Sequence, residues 1–166
     1  MVNIYIGYVI LTQSCNDYVM YWQSCCRPPG ITGIVNSASQ GFYFEAELNN
    51  TLGYNSSPVF LSTPLAYICI GGHINYLQNA HEFDGDSINY ELVPAREFAF
   101  GTGGVSVPYA AGYTFVNPIH TSTLAPFTLD SKSGNINFIA IQAETSVIAL
   151  RVNEYRYDST YLFWEK

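Results

Sequence analysis

Glu82, Asp84 and Asp86 occupy alternate positions in the stretch from Ala80 to Leu92, with Gly85 between the last two. Three carboxylates this close repel one another unless something positive holds them. A hard cation with oxygen ligands meets that need, and calcium accepts several carboxylates in loose geometry. Gly85 lets the backbone turn sharply, so that neighbouring oxygens can converge. The stretch lacks the full EF-hand loop that ends in Glu. The competing reading is therefore a solvated acidic turn ahead of the alternating strand Ile88-Tyr90-Leu92.

Other reactive residues do not assemble into a known catalytic pattern. The three histidines are His73, His81 and His120. His81-Glu82 opens like the zinc motif HExxH, but position 85 is Gly. Ser106 has Pro108 where a nucleophile elbow needs its second Gly. Gly101-Thr-Gly-Gly104 lacks the Lys-Ser/Thr of a phosphate loop and is expected to be a flexible turn. Glu45 and Glu47 share one strand face, where glutamates form a wet face more often than a glycosidase pair. No enzyme is expected. Tyr109, Tyr113 and Phe115 lie in a Gly/Pro-rich stretch and are candidate binding residues, because Tyr is amphipathic and stiff. The competing reading has these rings covering the ends of a sandwich.

Four cysteines, Cys15, Cys25, Cys26 and Cys69, include no CxxC pair. Adjacent cysteines bond each other only through a strained ring, so Cys25 and Cys26 are expected to find separate partners. Cys15 then takes one of them and Cys69 the other, which leaves two pairings open. Disulfides need an oxidising compartment, and buried free thiols in a reducing one are the alternative. A paired state would also remove Cys25 and Cys26 as nucleophiles.

The elements that must position these residues are strands. Aromatics make up 16% of the 166 residues and charged residues only 11%, a composition that suits pleated, half-buried surfaces and not disorder. With net charge -7 and six Lys plus Arg, the chain has little to offer phosphates, which argues against nucleic acid. No apolar run approaches the roughly 20 residues of a membrane-spanning helix. The apolar start carries no Lys or Arg before Arg27, so it does not look like a signal peptide. It alternates like a strand, and the chain is expected to be a processed or trimmed piece of a longer protein.

Strands are predicted at Ile4 to Leu11, Tyr18 to Gln23, Phe42 to Leu48, Val59-Phe60, Tyr67 to Ile70, Ile88 to Val93 and Tyr161 to Trp164. Ile136 to Ile141 and Ser146 to Glu154 are expected as the last clear strand pair, and long irregular connections with a short strand between Phe98 and Ala125. Trp22 is expected in the core. In Phe42 to Leu48, Phe42, Phe44, Ala46 and Leu48 share one face; Tyr43, Glu45 and Glu47 form the other, predicted wet, face. No segment has helical periodicity. The polar stretch Asn49 to Pro58 suggests a boundary. The prediction is all-β, with two sandwich modules in series: a disulfide-containing one over 1-54, N-terminally incomplete, and a second over 55-166.

Several motifs carry a resemblance. Trp22-Gln-Ser-Cys-Cys-Arg27, Phe42 to Asn50, Asn55-Ser-Ser-Pro-Val-Phe60, Tyr67-Ile-Cys69, the acidic loop, Pro126 to Gly134 and Ala149 to Arg156 stand in order. The chain resembles, over nearly its whole length, gliding-motility-associated surface adhesins and type IX secretion cargo of the Bacteroidetes. That resemblance implies export to the cell surface, Ig-like or cadherin-like modules, and roles in attachment or filaments. By the same analogy, Asp86-Ser87-Ile88 and Asp158-Ser159-Thr160 match O-glycosylation patterns.

The second half also resembles a cadherin repeat, through Asn55 to Phe60, the Asp-x-Asp loop and the turn Leu129 to Gly134. The cadherin resemblance implies calcium at a module junction, with Glu82, Asp84, Asp86, Asn55 and Asp130 as ligands. Lys132 stands where cadherins carry an acidic ligand, and Glu82 replaces the usual Asp.

The resulting expectation is a non-enzymatic extracellular adhesin or filament module that meets neighbouring modules and a surface polysaccharide or protein ligand. A carbohydrate-binding accessory module or glycan-active enzyme is one rival. A polymer subunit that donates a terminal strand, Ile4 to Leu11 or Tyr161 to Trp164, is another.

Overall fold

Alternating apolar and polar residues resolve into twelve β-strands in the computed structural model, which describes residues 6–62, 67–158 and 161–165. No α-helix occurs among the described residues, and none of their helices is long and apolar enough to cross a membrane. The strands are β1 (Tyr18–Ser24), β2 (Phe42–Leu48), β3 (Val59–Phe60), β4 (His73–Leu77), β5 (Ala80–His81) and β6 (Ser87–Leu92). They continue as β7 (Arg96–Ala99), β8 (Gly103–Ser106), β9 (Thr128–Leu129), β10 (Asn135–Ile139), β11 (Leu150–Asp158) and β12 (Tyr161–Glu165). The all-β class expected from composition is therefore present.

Pairing is antiparallel throughout, in small sheets ordered β1-β2, β4-β10-β9, β12-β11-β6, β3-β5 and β7-β8. The predicted last pair is corrected: β10 joins β4 and β9, whereas β11 joins β6 and β12. Residues 146–149 precede β11 instead of belonging to it. Tyr67 to Ile70 does not form a strand, and neither do Ile6 to Leu11. Ile4 and Tyr5 of that predicted first strand lie outside the described residues, as do Ser159 and Thr160.

Two buried clusters meet along one segment. Phe127, Ile136, Phe138 and Ala140 form one cluster, against which Ile148 and Leu150 pack. Ile31, Ile34, Ala95 and Val107 form the other, against which Val147 and Ala149 pack. The two-residue period of an extended chain thus sends alternate side chains of 147–150 into opposite cores. Residues on either side of position 54 share the second of these cores. Arg27 Nη2 also donates to the Arg96 carbonyl at 2.8 Å, and Ile34 bridges Tyr109.

The turn Leu129 to Gly134 is built by Asp130. Its Oδ1 accepts from the Lys132 and Ser133 backbone N–H groups at 3.0 and 2.7 Å and from Ser133 Oγ at 2.8 Å. Those bonds hold its carboxyl below the usual range, backbone donation by Ser133 foremost. Gly134 closes the turn at φ +70°, with the ring of Tyr90 where a Cβ would stand.

The β1-β2 ribbon departs from expectation at two residues, while Glu45 and Glu47 are exposed as predicted. Tyr43, on the face predicted wet, is 8% exposed, while Phe44, on the apolar face, is 59% exposed. Tyr21 and Tyr43 stack with Phe98 of β7, and Glu45 pairs with Arg96. That contact gives the Glu45 charge a partner and buries Tyr43, while Val19, Tyr21, Glu45 and Glu47 on the same side stay exposed. Trp22 is likewise not a core residue: it is exposed and stacks on Phe44.

The cysteine pairing is also corrected. Cys25 is bonded to Cys26, and Cys15 and Cys69 are free. The seven residues of β1, at about 3.3 Å each, put roughly 23 Å between its ends. Cys15 lies past one end, hydrogen-bonded to Asn50, and Cys25 at the other. A disulfide needs Cα atoms within about 4.4–6.8 Å, so Cys15 is out of reach of Cys25. Alkylation of the denatured, unreduced protein should therefore label two cysteines, and all four after reduction. Labelling that finds Cys15 and Cys69 blocked would contradict this pairing.

Candidate functional site

The β6-β11 ladder decides which residues meet the acidic loop. Glu154 stands opposite Ile88 and Tyr155 opposite Ser87, so the ladder ends where the loop begins. Glu154 and Arg156, two apart on β11, point to the same side of the sheet. Gly85, at φ +83°, turns the loop back over them.

Glu82 organises the loop by accepting from the backbone N–H groups of Asp84 at 2.6 Å and Asp86 at 2.7 Å. Asp84 accepts from the Ser56 N–H at 2.5 Å, which fastens the polar stretch after residue 54 to the loop. Asp86, its side chain only 5% exposed, takes Arg156 in a two-pronged pair, Nε at 3.1 Å and Nη2 at 3.0 Å. Arg156 also donates to the carbonyls of Leu52 and Tyr54 and to Asn55 Oδ1. Hydrogen bonding to Asp86 raises the Arg156 pKa, with the charges of Asp84 and Glu154 adding to it.

One carboxylate oxygen each from Glu82, Asp84 and Glu154 lies within 4.8 Å of the others. Ligand oxygens stand about 2.3–2.6 Å from calcium, so two of them can be at most about 5 Å apart. The trio meets that limit, and its donors are the hard oxygens calcium prefers. The chemistry of the set therefore fits a calcium ion held by these three residues.

Of the five ligands expected, two join this trio, Glu82 and Asp84. Asp86 is diverted, because Arg156 engages both of its oxygens. Asn55 sits at the rim as a bridge, donating to Glu154 Oε2 and accepting from Arg156, both at 3.0 Å. Asp130 is not part of this trio and spends its Oδ1 on the turn already described. Glu154 and Arg156 were missed as site residues. Their signal was the strand motif Arg-Val-Asn-Glu-Tyr-Arg, whose alternate positions face the loop once β11 is aligned on β6.

The expected binding rings prove to be inward groups. Tyr109 Oη accepts from the Ala95 N–H at 2.9 Å and its ring packs on the core of Ile31 and Val107. Tyr113 is buried and donates to Glu144 Oε2 at 2.6 Å, and Phe115 is half-buried. Tyr109 and Tyr113 are thus corrected from exposed contacts to packing residues.

Glu144 forms a second polar cluster. Its side chain is 3% exposed, and it accepts from Tyr113 Oη, from the His120 N–H at 2.6 Å and from Gln142 Nε2 at 3.3 Å. His120 Nδ1 lies 3.1 Å from the same carboxylate. The cluster ties the irregular stretch 113–120 to the residues that follow β10. Burial alone pushes the Glu144 pKa up, but donation from Tyr113 and His120 outweighs it and holds the carboxyl below its ordinary value. The same bond to Glu144 raises the Tyr113 phenol.

Comparison with known family models, characterised proteins and solved structures finds no significant match.

The depressed Glu144 fixes a sign for pH dependence. Its contribution is complete above the unfolded-state value of 4.5 and is lost as pH falls through the lower folded value. Glu144→Gln should lose about 1–3 kcal/mol of stability at pH 7 in urea unfolding. The gap to wild type should shrink as pH drops below 4.5. A gap that stays constant down to strong acid would contradict the assignment.

Proposed function

We propose that this chain is a non-enzymatic module of an exported bacterial surface adhesin or filament, its acidic loop cross-linked to β11 by calcium. On this reading the modules are Ig-like or cadherin-like, as the sequence resemblance suggests. They act mechanically, transmitting load between neighbouring modules while loops or edges meet a surface polysaccharide or protein. The observation that carries the reading is the convergence of Glu82, Asp84 and Glu154 within 4.8 Å. A divalent ion there offsets mutual repulsion, and the same loop is already bonded to Ser56, beside the expected boundary.

Every residue in this proposal binds or braces. Arg156 neutralises Asp86, which leaves Glu82, Asp84 and Glu154 as the group on which a cation would act. Asn55 holds Glu154 in place from the side. Calcium, when bound, supplies charge neutralisation and a cross-link between loop and strand.

Melting temperature in calcium provides the test. An ion present at a hundred times its Kd adds about 2.7 kcal/mol, which for a chain of this size is about 5–10 °C. Wild type should gain that shift and lose it on adding chelator, and Asp84→Asn combined with Glu82→Gln should abolish it. No shift in wild type, or an equal shift in the double variant, would remove calcium from the proposal.

A further inference from the structure

One of the two faces of the β1-β2 ribbon carries no charged side chain. On that face, Tyr18, Met20 and Trp22 stand across from Leu48, Ala46 and Phe44, with Phe42 next in line. None of these side chains is charged, and Met20, Trp22 and Phe44 are exposed. Among the described residues, β1 pairs only with β2, so its outer edge presents unpaired backbone N–H and C=O groups. An apolar face beside a free edge is a template for another strand.

The chain carries a segment suited to that place. Ile6 to Leu11 is uncharged and apolar on both alternating sides, Ile6, Tyr8 and Ile10 against Val9 and Leu11. It is exposed, with Tyr8 at 97% and Ile10 at 87%, and it forms no strand. A strand apolar on both sides is the type buried on both faces. Six residues extend to about 20 Å, close to the length of β1.

Its own β1 edge is poorly placed to receive it. The Asn50 side chain donates to the Gln13 carbonyl at 2.9 Å and accepts from the Cys15 N–H at 2.7 Å. The Asn50 N–H also donates to the Cys15 carbonyl at 3.1 Å. Residues 13–15 are thereby pinned on the β2 side, and the segment before them leaves from the end of the ribbon. Pairing with its own β1 would require breaking those bonds.

We propose that Ile6 to Leu11 of one copy adds as a strand to the outer edge of β1 in a second copy and covers part of its Trp22-Phe44 face. Reciprocal exchange builds a closed pair of copies. One-way donation instead builds a chain of copies. The inference stands apart from the calcium reading, since none of its residues belongs to the acidic cluster.

The test uses the full chain and a variant carrying Val9→Pro and Tyr8→Asp. Proline removes a ladder donor, and the aspartate puts a charge where an apolar contact is needed. Both positions lie outside the packed cores, so the variant should keep the wild-type circular dichroism and urea midpoint. In sedimentation, wild type should gain mass as concentration rises, and the variant should remain a monomer. A synthetic peptide of residues 3–12 should bind the variant and dissociate wild-type assemblies. Amide-exchange protection in β1 should rise with wild-type concentration. The proposal is overturned by a wild-type protein that stays monomeric, by a variant that assembles equally well, or by β1 protection independent of concentration, which would mean pairing within one copy.

Discussion

Arg156 joins three parts of the chain that are far apart in sequence. Its guanidinium takes both oxygens of Asp86, the carbonyls of Leu52 and Tyr54, and Asn55 Oδ1. A planar fork with five donors suits this work, which a lysine could not do. The Asp86 side chain is almost completely buried, so its charge depends on this partner. Removing one member of a buried pair strands the other, at a cost of about 3–5 kcal/mol. This contact holds Asp86 at the end of the acidic loop and anchors residues 52–55 beside it, next to the group of Glu82, Asp84 and Glu154.

Local patterns in the sequence made the strands and the turns legible. Period-two alternation marked Tyr18 to Gln23, Phe42 to Leu48 and Ile88 to Val93, and the Asp130-Gly134 turn was visible from its residues. Glu82 and Asp84 could be named as a pair because the loop that joins them is short. Glu154 and Arg156 could not, because their place depends on the alignment of β11 with β6, some sixty residues away. Register is a property of two strands together, and neither strand states it alone.

The burial of Tyr43 and the exposure of Phe44 have a similar origin. Alternation separates Phe44 from Tyr43 and Glu45 but does not say which set is covered. Arg96 and Phe98 decide it, by offering Glu45 a charge partner and Tyr43 an aromatic neighbour. Phe44 is then left facing outward, as Val19 and Tyr21 are on the other face. Tyr109 and Tyr113 were misplaced for the opposite reason. Their Gly/Pro-rich surroundings suggested exposure, but a hydroxyl that can reach a buried N–H or carboxylate lets the ring turn inward.

The site and the ribbon draw on the same scarcity. With six basic residues against thirteen acidic ones, each arginine has a specific carboxylate or carbonyl to serve. Arg96 takes Glu45, Arg151 takes Glu91, and Arg156 takes Asp86. The account rests most heavily on the last of these. A double-mutant cycle of Arg156→Met and Asp86→Asn, read by urea unfolding, measures it directly. A coupling energy of roughly 1–3 kcal/mol is predicted for a buried, two-pronged pair, and a coupling within about 0.3 kcal/mol of zero would contradict it.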